Sequence, residues 1–329
     1  MGEIVIEQKD IKVIEPKRTD PFLKMWEENF NENYNNKIFN KANTKPLCYL
    51  ENTKPFSGLP VVLVAAGPSL DKNIHILKKY KDNVIILCAD IITFKLLEND
   101  IIPDFVCNID SHETVMEFFH GLDNSNLTLV CPTTAYPKLV NDWKGKLIFF
   151  NQTDIPGQEK EKILSKITKK TGGFGSFFNR FFVGATMLQL SKILNPSIIM
   201  LMGYDFAFSD GKHYCDGAAR RRAEYENVKW NTNNNIEERT QAHIKMELGL
   251  SDKEYIIDGV KIKGKTNLDF YKNVFIELIM HYKLPVINCT EGGIFRDIDC
   301  MNLETAINKY ANIPLNKTYS NKQKRRKKH

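Results

Sequence analysis

The sequence predicts an α/β fold: a doubly wound, mostly parallel Rossmann-like sheet with a helical lid insertion and a short N-terminal extension. Short apolar runs rich in β-branched residues, such as Val61–Val64, Val84–Cys88 and Ser197–Met202, read as strands buried on both faces. They alternate with segments of helical period, the pattern of parallel strands crossed over by helices. A third observation locates a ligand edge. Val61–Asp71 runs from an aliphatic strand through Gly67, Pro68 and Ser69 into a helical stretch with Ile74 and Leu77. Glycine permits the sharp turn and proline suits a first helical turn. Such a bend presents N–H groups and the positive end of a helix dipole. By itself it is open between an ordinary strand-to-helix turn and a phosphate site.

Residues 1–56 read as the N-terminal extension. A strand-like Glu3–Ile6 is followed by an aromatic helical segment (Phe22, Met25, Trp26, Phe30) and an Asn-rich patch from Asn29 to Asn43. A turn at Lys54–Gly58 leads into the Rossmann-like domain, residues 57–312. After the strand at Val61, the sequence predicts strands at 84–88, 105–109, 127–131, 147–150 and 197–202. Helices are expected at 91–97, 112–119 and about 178–194. Residues 211 to about 250 are polar, interrupt the alternation and fit a helical lid. Tyr255–Ile262 reads as a hairpin turning at Asp258 and Gly259. A helix over 267–282, a strand at 286–288 and a helix near 301–310 complete the domain, and 313–329 is a basic, disordered tail.

Composition excludes several classes. The 42% hydrophobic and 26% charged content is that of a globular protein. No apolar run approaches the roughly 20 residues of a membrane helix. The first residues have neither a basic n-region nor an apolar core, and Ile6 stands where a myristoylation motif wants Ser or Thr, so a cytoplasmic location is expected. The seven cysteines are widely spread and none forms Cys-x-x-Cys, so no zinc site or redox pair is indicated; Cys88, Cys107 and Cys131 read as small core residues. The net charge of +6 resides in the tail, whose last eight residues hold six Lys or Arg and no acid. That tail is open between a solvated end and a contact to anionic lipid or nucleic acid. The folded body shows no basic–aromatic interleaving and is not expected to bind nucleic acid.

In open parallel sheets ligands bind beyond the carboxyl ends of the strands. Three acids fall there, Asp90, Asp110 and Asp205, each just after a strand. Any one alone could be a helix cap; together with Gly67 they mark a site.

The motifs resemble a known group. Gly67–Asp71 (Gly-Pro-Ser-Leu-Asp), Pro103–Asp110, Gly203–Tyr214 and the Thr-Glu-Gly-Gly run at Thr290–Gly293 look like the motility accessory factors, bacterial proteins implicated in placing nonulosonic, sialic-acid-like sugars on flagellin. The resemblance spans about residues 45–310. Its core domain is similar to archaeal 6-hydroxymethyl-7,8-dihydropterin diphosphokinase and, in outline, to bacterial sialyltransferases that use CMP-sugars. It implies an inverting glycosyltransferase whose co-substrate is a CMP-activated sugar, whose acceptor is a flagellin-like protein or glycan, and which requires no metal. The alternative is an ATP-dependent pterin diphosphokinase, in which Asp90, Asp110 or Asp205 would hold Mg²⁺.

On that resemblance, the amides after Gly67 and the Ser69 hydroxyl would stabilise the leaving phosphate, with Pro68 shaping the turn. Asp90 and Asp110 would meet cytidine and ribose, and Asp205 also falls to donor binding. The loop Gly172, Gly173, Gly175 with Ser176 resembles the one before the donor-contacting helix. His213 is the expected base, open against a surface histidine, with His112 as rival. Tyr204 and Tyr214 either hydrogen-bond the departing phosphate or pack. Arg220–Arg222 either pair with the donor or form a solvated face. Glu291 either contacts substrate or serves turn geometry.

Overall fold

The computed structural model describes residues 20–153, 158–178, 182–257, 259–312 and 314–315. The expected strand at Glu3–Ile6, the turn residue Asp258 and the basic run 322–329 lie outside the described residues.

Nine strands make one sheet, in which every pairing is parallel. They are β1 (Thr44–Pro46), β2 (Pro60–Val64), β3 (Ile85–Ala89), β4 (Phe105–Cys107), β5 (Thr128–Pro132), β6 (Lys146–Thr153), β7 (Ser176–Phe178), β8 (Ile198–Met202) and β11 (Val286–Asn288). The spatial order is β1-β6-β5-β4-β3-β2-β8-β11, with β7 added beside the far end of β6. From β2 the chain steps outward through β3, β4, β5 and β6, then returns across the sheet to β8 on the other flank of β2. The order therefore reverses between β2 and β8, and the crevice beyond their carboxyl ends is the natural ligand position.

Every residue of β2, β3 and β8 is buried, as expected of strands covered on both faces. One cover is α8 (Val183–Leu194), whose side chains are buried almost all round. It lies against β2, β3 and β4 and is overlain by α11 (Thr266–Tyr282). On α3 (Leu70–Tyr80), Leu70, Ile74 and Leu77 face the core while Lys72, Lys78 and Lys79 lie on the other face, the stripe of an amphipathic helix.

The remaining helices differ from the sequence expectation where short elements are concerned. The helix expected from about 178 starts at Val183, because Ser176–Phe178 instead pairs with Asn151–Thr153 of β6. The one-turn helices at 90–92 and 113–115 run into α4 (Thr93–Glu98) and α5 (Met116–Phe119). The strand β1, the helix α2 (Cys48–Thr53) and the helix α6 (Pro137–Asp142) had no sequence signal, since three to six residues show no period.

Inside the N-terminal segment, α1 (Asp20–Asn35) buries Leu23, Trp26 and Phe30 against Leu164 and Ile167 of α7 (Gln158–Thr171). From an adjoining face Asn29 donates to the carbonyls of Ser111 and Thr134, and Asn33 to those of Thr133 and Ala135. The Asn-rich patch thus ties α1 across the loops that leave β4 and β5.

The lid consists of α9 (Ala218–Lys229) and α10 (Ile236–Leu248), packed on each other. A hairpin of β9 (Lys253–Ile257) and β10 (Val260–Gly264) follows, and α12 (Leu303–Tyr310) closes the described fold. Among the described residues no helix is long and apolar enough to cross a membrane.

Candidate functional site

Three sequence motifs meet at the crevice between β2 and β8. The Ser69 hydroxyl donates to Asp205 Oδ1 at 2.6 Å, and the Ser69 N–H to Oδ2 at 3.2 Å. The amides of Leu70, Asp71 and Lys72 donate to the carbonyls of Gly67, Pro68 and Ser69. Every amide from Ser69 to Lys72 therefore has a protein acceptor, and the acid at this positive helix end is the protein's own. The sequence offers these groups to a phosphate; here a phosphate reaches them only by displacing the Asp205 carboxylate. Burial holds that carboxyl above its usual range, while Ser69 and Ser209 pull the other way. The Thr-Glu-Gly-Gly run completes the knot. Thr290 Oγ1 accepts from the Tyr204 amide. A Cβ on Gly67 would collide with Asp205 and the Gly203 carbonyl, and one on Gly293 (φ +67°) with the Asp205 backbone. These glycines are needed for close backbone approach.

Glu291 is tied into the turn by fold contacts. It sits at φ +58°, accepts from Asn73 and from the Leu303 amide, and takes a 2.7 Å bond from Asn302. It thereby fastens the start of α12 to α3.

Next along the edge, Asp90 follows β3 and Asp110 follows β4. Asp90 is buried, and its carboxylate accepts from Asn108 Nδ2 and from the Ile91 amide, each at 2.8 Å. Burial first, and the charge of Asp110 second, raise its pKa to about 7. Asn108 Oδ1 is buried without a hydrogen-bond partner. Asp110 is exposed. A half-ionised carboxyl beside an exposed carboxylate can trade a proton near neutrality.

The lid is fastened over this edge by charge. Asp71, in the first turn of α3, accepts from the Asp216 amide and pairs with Lys95 at 2.5 Å and Lys212 at 3.5 Å. The Cys215 amide donates to the Ala66 carbonyl. The triple arginine of α9 divides its work. Arg220 is exposed and pairs with Glu224. Arg221 lies over the Phe94 ring and donates to the His120 carbonyl. Arg222 grips Glu117 of α5 through two bonds and reaches Glu247 of α10 at 3.5 Å.

His213 is packed between the rings of Phe208 and Tyr214, with centroids at 4.6 and 4.1 Å. Its Nδ1 has no hydrogen-bond partner and stands 4.0 Å from Glu247. Burial, then the nearby cations Lys265 and Arg222, lower its pKa to about 4. Tyr214 is within electrostatic reach of Glu247 and Asp90, and burial raises it to about 12. His213, Tyr214 and Glu247, with Glu237, Thr240 and Arg220, line a cavity of about 210 Å³ between the 212–217 loop and the lid helices.

The structure thus brings Gly67, Pro68, Ser69, Asp205 and Glu291 into one knot, and Asp90, Asp110, His213 and Tyr214 into the adjoining edge beneath the lid. It does not bring the others there. Tyr204 is buried against Phe275, its hydroxyl donating to the Gly184 carbonyl. Gly173 and Ser176 lie beside β6, three strands from Asp90. His112 is exposed and caps the turn before α5. Asn108, Glu117 and Glu247 were missed by sequence reasoning. Asn108 lies inside the Pro103–Asp110 motif, but nothing in the sequence singles out either glutamate. Among the described residues no group of three or more His, Cys, Asp or Glu is placed to hold a metal ion.

A parallel α/β sheet with acids at its switch-point edge defines the doubly wound, Rossmann-like class. The chain belongs to the family described as 6-hydroxymethylpterin diphosphokinase MptE-like, whose model matches residues 29–211, more than half its length. The fold is similar to that of a MAf glycosyltransferase from Magnetospirillum magneticum AMB-1, with a TM-score of 0.52 and 15% identity over 78% of this chain. This chain spans only 38% of that one. No match is found among curated proteins.

Proposed function

We propose that the protein is a glycosyltransferase of sialyltransferase type, moving a nonulosonic sugar from CMP to a hydroxyl of a flagellin-like protein or surface glycan. The observation that carries this reading is the acidic edge roofed by a docked lid. The family match ends at residue 211, where the lid begins, whereas a likeness over 78% of the chain must extend beyond it. The fold relative is described as a glycosyltransferase, and part of this chain beyond residue 211 follows its fold.

In the reaction, the acceptor oxygen attacks the anomeric carbon as the bond to the CMP phosphate breaks, with inversion. The acceptor proton passes to a base. Asp90 is better suited than His213: its pKa of about 7 matches the working pH, whereas an imidazole held near 4 is a weak base. Tyr214 lies within electrostatic reach of Asp90. The departing monophosphate needs cationic or N–H partners. Lys72, which acts on the Asp205 carboxylate, and Lys212, which pairs with Asp71, are cations beside the knot.

A second reading is favoured by the family description and by one geometric fact. Asp90 and Asp110 form a like-charged pair that a divalent cation would relieve, and Asn108 Oδ1 is unpartnered beside them. Under a diphosphokinase reading these residues would hold Mg²⁺, which would supply charge neutralisation for pyrophosphate transfer from ATP.

Thermal shift with CMP against ATP–Mg²⁺ separates the two. The glycosyltransferase reading expects stabilisation by CMP, unaltered by EDTA, and transfer from a CMP-nonulosonate. Asp90→Asn should lower turnover about 100-fold or more, and His213→Gln far less. Stabilisation by ATP only with Mg²⁺ would replace the first reading with the second.

A further inference from the structure

A second cavity, of about 470 Å³, lies outside the acidic edge, between the carboxyl ends of α1 and α7. Its size falls within the range of small-molecule pockets, about 300–1,000 Å³. Phe39, one of its walls, packs edge-on against Phe149 of β6. With β6 three strands from β3, the cavity stands about 14 Å or more from Asp90 at the usual strand spacing. The helix α1, whose end lines the cavity, is tied by Asn29 and Asn33 to the loops after β4 and β5.

The lining has a definite chemistry. Tyr34, Phe39 and Phe174 supply aromatic walls, held in place because Phe39 also meets Phe174 edge-on at 5.6 Å. Asn40 offers an amide, and Lys37 and Lys170 are cations. The lining contains no acid. Lys170 is positioned over the Tyr34 ring at 5.0 Å and donates to Asn31. Lys37 is held at φ +56°, a backbone state unusual for a lysine.

The charge balance selects the ligand. Two helices end here, α1 at Asn35 and α7 at Thr171, and each carboxyl end carries roughly half a negative charge. Against two lysines this leaves about one net positive charge. A phosphate dianion fits that balance poorly, and nucleotide phosphates favour helix amino ends instead. A single carboxylate fits it. Aromatic faces suit the apolar face of a sugar ring and amides suit its hydroxyls.

We propose that this cavity is a non-catalytic subsite for an acidic carbohydrate, a sugar residue bearing one carboxylate. The inference does not depend on the transferase reading: a diphosphokinase could carry the same subsite.

Ligand-observed saturation-transfer NMR and calorimetry on the full chain test it, with glucuronate, N-acetylneuraminate, glucose and inorganic phosphate as probes. At least one acidic sugar should bind saturably, at least five-fold more tightly than glucose, and inorganic phosphate should not displace it. Lys170→Gln, at an exposed position, should weaken the acidic sugar at least five-fold, and Tyr34→Leu should weaken both sugars. Both variants should melt as the parent does and keep its response to CMP or ATP–Mg²⁺. Absence of saturable binding to the parent, displacement by phosphate, or binding untouched in both folded variants would overturn the proposal. Failure of the nucleotide test with retained sugar binding would sink only the transferase reading.

Discussion

The knot at the β2–β8 crevice and the lid above it are held by opposite physics. In the knot, Gly67, Gly203 and Gly293 bring backbones into contact, and one buried carboxyl, Asp205, satisfies the amino end of α3. Nothing there is free to move without breaking a buried bond. The lid and its leading loop are fastened mainly by partly exposed ion pairs and hydrogen bonds: Arg222 to Glu117, Lys229 to Glu113, Lys212 to Asp71, and Lys95 to the Asp216 carbonyl. Such pairs are individually weak and screened by salt. A rigid floor and an electrostatically latched cover suit the proposed transferase site, which would open to admit its substrates and close to exclude water.

Glycine substitution tests this contrast most severely. Gly293→Ala should cost more than about 4 kcal/mol or abolish folding, since the new Cβ has only backbone to meet and the φ is left-handed. Gly173→Ala, with nothing within 4 Å of its added methyl, should change stability by about 0.5 kcal/mol or less. Denaturant titration reads both, and equal effects would erase the distinction between knot and loop.

A smaller effect belongs to the latch. Arg222→Met leaves Glu117 and Glu247 without their guanidinium and should cost about 1–3 kcal/mol. Hydrogen exchange should quicken over residues 212–250 and stay slow over β2. Raising salt from 0.1 to 1 M should loosen the lid in the same pattern. Uniform exchange changes across both regions would mean that the lid is not a separate unit.

The smallest effect is a pair of opposed pH dependences. Folding raises the Asp90 pKa, so the stability its proton contributes is fully present below about pH 4 and lost as pH rises toward 7. Folding lowers the His213 pKa, so its contribution is present above about pH 6.5 and lost as pH falls toward 4. Over that shared window the two partly cancel. Asp90→Asn should leave a melting temperature that climbs with pH, and His213→Gln one that declines, each by the equivalent of about 1–3 kcal/mol. Parallel shifts in the two variants would show that neither group titrates as placed.

Much of the sheet was legible because β2, β3 and β8 are continuous apolar runs, and burial on both faces permits nothing else. The acids at strand ends were legible for the same reason, as Asp90 and Asp110 fall one and three residues beyond their strands. The lid was legible only as an interruption. Its partners were not, because Arg222 and Glu117 are 105 residues apart and neither neighbourhood records the other. Tyr204 misled for a related reason. A tyrosine beside a motif glycine looks available, yet its ring turns inward onto Phe275.

The sequence by itself determined the central strands, the bend at Gly67 and the family, since each is written in contiguous residues whose pattern has one physical solution. Only the tertiary structure decided that Asp205 occupies the amino end of α3, that Asp90 is held near neutrality, and that α1 crosses the carboxyl edge. Those outcomes depend on groups brought together from distant parts of the chain. Burial and charge act through space, and no local pattern encodes them.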